Sequence, residues 1–344
     1  MANPSLHELM TPKKATQTSN ILELAEYKDS RQDSFTNIFQ QWQPPASRGI
    51  YGGALIALCL SAAQKTVSGD FHIHSCHCFF LLAGSIDIRV IFHVERIRDG
   101  TTFATRRVEA RQQGRSIATV MVSFARQSSV EVKQLQHSTF PMGDLKPPDE
   151  VVEEEPEWTR TEPFQRRAID ARDQLVSSIH PHQRIFRQWI RYKGVIPSAD
   201  GPSAHLHALA FVTDSYFILT AARVHRLWRL PFEPEDVPFL QKEVRSQVQK
   251  VSECESLGSS VDEWVELQRL AMVASLDHTI YFHEPLRIKA DDWMFAEMES
   301  PWAAHGRALV VQRIFSKDGT LLATCSQEGI LRLKEDGAQN GSKL

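Results

Sequence analysis

Residues 48–67, RGIYGGALIALCLSAAQKTV, read as a helix that is apolar nearly all the way round, and such a helix has to be buried on every side. Something must wrap it. The runs that follow are suited to do so, since HIHSCHCFFLLAG, IDIRVIFHVERI, TFATRRVEARQQ and SIATVMVSFAR alternate as strands do, with Asp99-Gly100 and Gly114 as turn signals between them. A buried helix followed by an antiparallel meander predicts an α+β unit in which a sheet wraps around a helix. Residues 127–162 then lapse into Gln, Ser, Pro and Glu, including KPPDEVVEEEPE, whose charge and prolines oppose both helix packing and a central strand. That stretch reads as a linker.

The second half repeats the plan, with an apolar helix in HLHALAFVTDSYFILTAARV, strands at ASLDHTIYFHE and DDWMFAEME, and a closing pair in GRALVVQRIFSKDGTLLATCSQEGILRLK. Placing Gly114 on Gly319 puts Ile117 on Leu322, Ala118 on Ala323 and Thr119 on Thr324, an offset of 205. Placing Phe79-Phe80 on Tyr281-Phe282 gives an offset of 202, so the halves read as two copies of one unit differing by a small insertion. The expected organisation is a first unit over 20–126, a linker over 127–162, a second unit over 163–335 carrying an insertion around 228–262, and a flexible tail over 336–344.

Composition narrows the function classes. With 39 basic and 42 acidic residues among 344, the net charge of -3 speaks against a nucleic-acid partner held on a broad basic face. Cys59, Cys76, Cys78, Cys254 and Cys325 lack paired spacing, and the polar N-terminus has no apolar leader, so they read as reduced thiols inside a cell. No uncharged apolar run approaches the roughly 18 residues a membrane span needs. The last residues, Ser342-Lys343-Leu344, spell the address read by the peroxisomal import receptor, which places the expected location in the peroxisome matrix.

Asp214 is the residue patterning least expects, because it falls within an apolar helical stretch. Burial there would raise its pKa toward the range of a general base, although bonding to a nearby backbone or basic group explains a buried Asp equally well. Gln327 shares a strand face with Leu321, Ala323 and Cys325, where a buried amide needs partners and a positioned water is one; the matching place in the first half holds Val122. Ser275 opens the strand SLDHTIYFH and has a hydroxyl to offer, while its neighbours Asp277 and His278 point to opposite faces and read as structural. His72, His74, Cys76 and Cys78 would share one strand face and His77 the other, with no second cluster to complete a metal site, so no metal is expected. There is no G-x-S-x-G, the nearest string being Gly201-Pro-Ser203-Ala-His205, and neither a Walker loop nor a G-x-G-x-x-G, so no nucleotide cofactor is expected.

With these residues in view the chain resembles the type II acyl-CoA thioesterases, over most of its length outside the linker, insertion and tail. In the first half the likeness rests on Ile50-Tyr51-Gly52-Gly53, on HSCHCFFL from His74, and on VERIRDG from Val94 with Arg106-Arg107-Val108. In the second it rests on FRQWIR from Phe186, Thr213-Asp214, SLDHTIYFH from Ser275, and Ser326-Gln327-Glu328-Gly329. The resemblance implies a double hotdog, two antiparallel sheets each wrapped around a central helix, and hydrolysis of an acyl-CoA thioester by a held water. By position, Asp214 would accept the water's proton while Ser275 and Gln327 orient it, Ser275 standing where the family often has Thr. Backbone N–H groups at a helix start would meet the thioester oxygen, with Gly52 and Gly53 allowing close approach and His74 as a secondary candidate. Association through the sheets into a homo-oligomer is also implied. Two alternatives stand beside it: a hydratase or dehydratase of the same fold, which needs a His and Asp pair, and a non-catalytic acyl-CoA binding protein.

Overall fold

The helix that needs wrapping is α1, Gly52–Gln64, and Ala54, Ile56, Ala57, Leu58, Cys59 and Leu60 along it are wholly buried. The computed structural model describes residues 12–14, 21–29, 32–45, 47, 49–126, 133, 135–141, 146–148, 156–169 and 180–335. Strands β1 (Leu24–Glu26) and β2 (Ser34–Asn37) precede α1, and β3 (Phe71–Phe80), β4 (Ile91–Asp99), β5 (Phe103–Gln112) and β6 (Arg115–Arg126) follow it. The second half opens with β7 (Phe164–Ala168) and β8 (Phe186–Tyr192). Next come helices α2 (Gly201–Thr213), α3 (Thr220–Val224), α4 (Lys242–Cys254) and α5 (Val261–Val265), then strands β9 (Leu270–Ser275), β10 (Asp277–Phe282), β11 (Met294–Ala304), β12 (Arg307–Phe315) and β13 (Leu321–Leu333).

Where two sheets are expected, the described strands form one. Its order is β1-β2-β4-β5-β6-β3-β10-β13-β12-β11-β8-β7, with β9 on β13, and all of its ladders are antiparallel. The halves join where β3 meets β10, from Asp277 opposite Phe79 to Tyr281 opposite Ser75, because each strand would otherwise be an unpaired edge. The offsets read from the letters hold in the register: Cys78 lies opposite Val120 in the first half, and Ile280 opposite Cys325 in the second. Helices α1 and α2 pack against each other inside the curve of the sheet, within one apolar core. They meet tightly at Gly53, where a Cβ would lie 2.3 Å from the Phe211 carbonyl oxygen. The Tyr51 hydroxyl donates to that same carbonyl at 2.8 Å.

The motif around Asp99 and Arg106 has a structural use. Arg106, 1% exposed, donates to Thr66 Oγ1 (2.8 Å), to the Thr66 carbonyl (3.1 Å) and to the Arg98 carbonyl (2.9 Å), and pairs with Asp99. It thereby ties the C-terminal end of α1 to the β4–β5 hairpin, satisfying a carbonyl left over at that end. The extra segment around residues 228–262 builds its own small core from Trp228, Val237, Val244, Val248, Leu257 and Trp264, with Val244 and Val248 one turn apart on α4.

Two elements differ from expectation. The apolar stretch holding Asp214 is not one helix: α2 ends at Thr213, Asp214 is its C-terminal cap (φ -84°, ψ 0°), and Tyr216 takes a left-handed φ of 53° before α3 begins. Ser275 likewise ends β9 instead of opening a strand. Residues 270–282 break at Leu276, since Gly329 faces Ser275 while Ser326 faces Thr279, a slip of one residue along β13. The tail that carries Ser342-Lys343-Leu344, and much of 127–162, lie outside the described residues.

Candidate active site

The end of α2 brings the Asp214 carboxylate against the start of α1. Its Oδ2 accepts the Gly53 N–H at 2.8 Å, one of the amides that the first turn of a helix leaves without an internal partner, at the positively polarised end of α1. Its Oδ1 accepts from Gln327 Nε2 at 2.7 Å, and the same amide nitrogen donates to Ser275 Oγ at 3.0 Å. Both Gln327 amide hydrogens are thereby engaged, so Ser275 Oγ is an acceptor here and its own hydrogen remains for a third group. Gln327 Oε1 is buried without a hydrogen-bond partner among the described residues. Asp214 is 9% exposed, and burial raises its pKa to about 6, held from rising further by the bonds from Gln327 and Gly53.

A fourth side chain stands here. His278, 0% exposed, places Nε2 3.0 Å from Thr213 Oγ1 and Nδ1 3.8 Å from Asp214 Oδ1. The Thr213 hydroxyl has a single hydrogen and donates it to the Ala210 carbonyl at 2.9 Å. It can therefore only accept from His278, which fixes the proton on Nε2 and leaves Nδ1 as a bare acceptor facing Asp214. That Nδ1 has no partner among the described residues, and burial lowers the imidazole pKa to about 3, so the ring is neutral at cellular pH. Asp277, next in the chain, faces the other way and accepts the Glu328 N–H at 2.8 Å.

The structure thus brings Asp214, Ser275, Gln327, Gly52 and Gly53 together. A Cβ on Gly52 would sit 2.7 Å from Asp214 Oδ2 and 2.8 Å from the Phe80 ring, so only glycine leaves room for the carboxylate. His74 is elsewhere: it bonds Ser123 Oγ at 2.8 Å and packs edge-on to Phe103 on the first half's strands. His278, read from the letters as structural, stands at the site beside Asp214. Its strand period puts it on the inward face with Ile280 and Phe282, and a polar residue on that face was the available signal. By the two offsets, Cys76 and Val122 occupy in the first half the places of His278 and Gln327, and both are wholly buried.

Models of the N-terminal and C-terminal domains of acyl-CoA thioesterases match residues 39–125 and 141–331. This chain belongs to the acyl-CoA thioesterase family. Among curated members, acyl-coenzyme A thioesterase 8 of Mus musculus is 30% identical over 312 residues, covering 84% of this chain and 82% of the relative. The peroxisomal acyl-coenzyme A thioester hydrolase 1 of Saccharomyces cerevisiae is 24% identical over 371 residues, covering 90% and 94%. A solved acyl-CoA thioesterase II from Mycobacterium marinum superposes with a TM-score of 0.64 at 26% identity, covering 93% of this chain and 98% of that one. A protein of unknown function with a hot dog fold from Alicyclobacillus acidocaldarius shares the fold at a TM-score of 0.54 and 16% identity, covering 91% and 97%. The chain shares that hotdog fold, with its central helices packed against an antiparallel sheet.

Proposed function

We propose that this chain hydrolyses acyl-CoA thioesters to the free acid and CoA, with Asp214 as general base and Ser275 and Gln327 holding the attacking water. The observation that carries the reading is the buried Asp214 carboxylate, its pKa raised to about 6, between Gln327 Nε2 and the first turn of α1. A base with that pKa is ionised at cellular pH yet close enough to it to take a proton well. The water gives one proton to Asp214 as its oxygen bonds the thioester carbonyl carbon. Its other hydrogen has the His278 Nδ1 or Gln327 Oε1 lone pair to meet, neither of which has a partner among the described residues. The tetrahedral intermediate expels CoA as thiolate, which takes the proton back from Asp214. We assign the Gly52 N–H to the thioester oxygen, because the Gly53 N–H already serves the base.

Hydration of an unsaturated acyl chain by the same fold would use a His and Asp pair, and His278 with Asp214 is such a pair by distance. The hydrogen-bond pattern speaks for hydrolysis: Nε2–H is engaged by Thr213, and a ring with a pKa of about 3 has no proton on Nδ1 to give. In the same reading the chain comprises two hotdog units, 20–126 and 163–335, joined by 127–162, and assembles as a homo-oligomer. It works in the peroxisome matrix, delivered through Ser342-Lys343-Leu344; the peroxisomal relative in yeast supports that location. Steady-state release of free CoA from acyl-CoAs of graded length, with the acyl product weighed by mass spectrometry, tests the proposal. Release of CoA and unmodified acid supports it; an acyl-CoA heavier by one water, or no turnover, overturns it.

A further inference from the structure

Nine residues on from Asp214, α3 delivers Arg223 to a hollow of about 80 Å3. Arg223, Arg226 and Arg229 line it together with Arg184, whose guanidinium donates to the Val224 carbonyl, and Glu255, at the end of α4, is the one carboxylate among the described lining residues. The charge excess is held out of water: the side chains of Arg223 and Arg229 are 9% and 5% exposed, and Glu255 is 10% exposed. Glu255 pairs with Arg229 and lies 3.7 Å from Arg223 Nε. The Arg223 guanidinium rests on the Phe186 ring, 4.2 Å from its centroid, and its buried Nη1 and Nε have no hydrogen-bond partner among the described residues. Desolvation lowers the pKa of Arg223 to about 9 and that of Arg229 well below its ordinary value, with repulsion from Arg166 adding to the first and from Arg223 to the second.

A second arginine-lined hollow is balanced. At the far end of α1, a space of about 430 Å3 is lined by Arg96, Arg106 and Arg126, but these pair one to one with Asp33, Asp99 and Asp70. No excess is left there for a ligand. The smaller hollow is formed in part by the same stretch of chain as the candidate active site, its Arg223 standing nine residues beyond Asp214. Four of its lining residues, Arg229, Cys254, Glu255 and Ser256, come from the extra segment of the second half, for which the short link between α1 and β3 has no counterpart.

We propose that this hollow is a phosphate-binding site, completed by the extra segment, and that it receives a phosphate of the CoA moiety. The second clause rests on the thioesterase reading; the first does not. Guanidinium edges supply planar paired donors that suit phosphate oxygens, and a dianion there replaces the missing counter-charge.

The test is calorimetric titration of the full-length protein with adenosine 3′,5′-bisphosphate and with inorganic phosphate, beside kinetics on an acyl-CoA and on the matching acyl-N-acetylcysteamine, which carries no phosphate. Arg226→Gln, at an exposed position, and Arg223→Gln are each expected to weaken bisphosphate binding and raise KM for acyl-CoA about tenfold, the size of one charge-assisted bond, with kcat and the N-acetylcysteamine kinetics unchanged. Glu255→Gln, which removes a competing anion, is expected to tighten binding, whereas a purely structural Glu255 would leave it weaker or unchanged. Binding of inorganic phosphate without the bisphosphate, or equal losses on both substrates, overturns the CoA assignment. Failure of both anions to bind overturns the site. If the wild type cleaves neither thioester, the thioesterase reading fails, and the titrations still decide the pocket.

Discussion

At the scale of single residues, the proposed role of Asp214 sets stability and activity against each other. Its folded pKa of about 6 lies above the unfolded value of about 3.9, so the folded state holds the proton more tightly. Stability from this group is therefore greatest below pH 4 and declines as pH rises through 4 to 6, leaving a cost on the order of 3 kcal/mol at neutral pH. Asp214→Asn removes the buried charge but turns an NH2 onto either the Gly53 N–H or the Gln327 amide, two opposing effects on stability, so Tm at pH 7 should change by only a few degrees while kcat falls at least a hundredfold. An unchanged kcat would refute the assignment. Wild-type kcat/KM should climb through pH 6 as the carboxylate ionises. His278 ionises far below that range, so His278→Phe should lower kcat about tenfold while the acid limb stays near pH 6; a limb that moves or vanishes would give the titration to His278.

At the scale of elements, the site depends on how closely two helices meet. Gly53→Ala places a methyl against the Phe211 carbonyl, 2.3 Å away, and backbone has to move. Overpacking of this kind costs about 1–3 kcal/mol. Because the same residue supplies the N–H that holds Asp214, the variant should lose both Tm and kcat. A variant that is destabilised yet fully active would show that the α1 amide is dispensable to the base. The break between β9 and β10 acts at the same scale: the slip along β13 turns Ser275 toward Gln327 while β10 turns His278 toward Asp214, which an unbroken strand does not do for residues three apart.

Across the whole molecule the site belongs to both halves, with Gly52 and Gly53 from the first and Asp214, Ser275, His278 and Gln327 from the second. The halves share one core and one sheet, joined by the β3–β10 ladder and the α1–α2 contact. Calorimetry should accordingly show a single cooperative unfolding transition, and residues 163–344 expressed alone should release no CoA. Two separated transitions, or turnover by the second half alone, would mean that the halves are independent bodies.

Much of this was legible in the letters. Apolarity on every side of 48–67 demands a wrapping sheet, repeated letters at offsets of 202 and 205 demand a second copy, and a lone Asp in an apolar stretch demands a partner. Those signals are local, or depend on one residue resembling another, so one dimension carries them. Three things were decided only in three dimensions. The two sheets fuse because open edges seek pairing; Asp214 caps a helix with its carboxylate held by an amide of a helix 161 residues earlier; and His278 faces that Asp with a bare nitrogen because a threonine hydroxyl has one hydrogen to give. Each is a contact between distant positions whose geometry no spacing along the chain encodes.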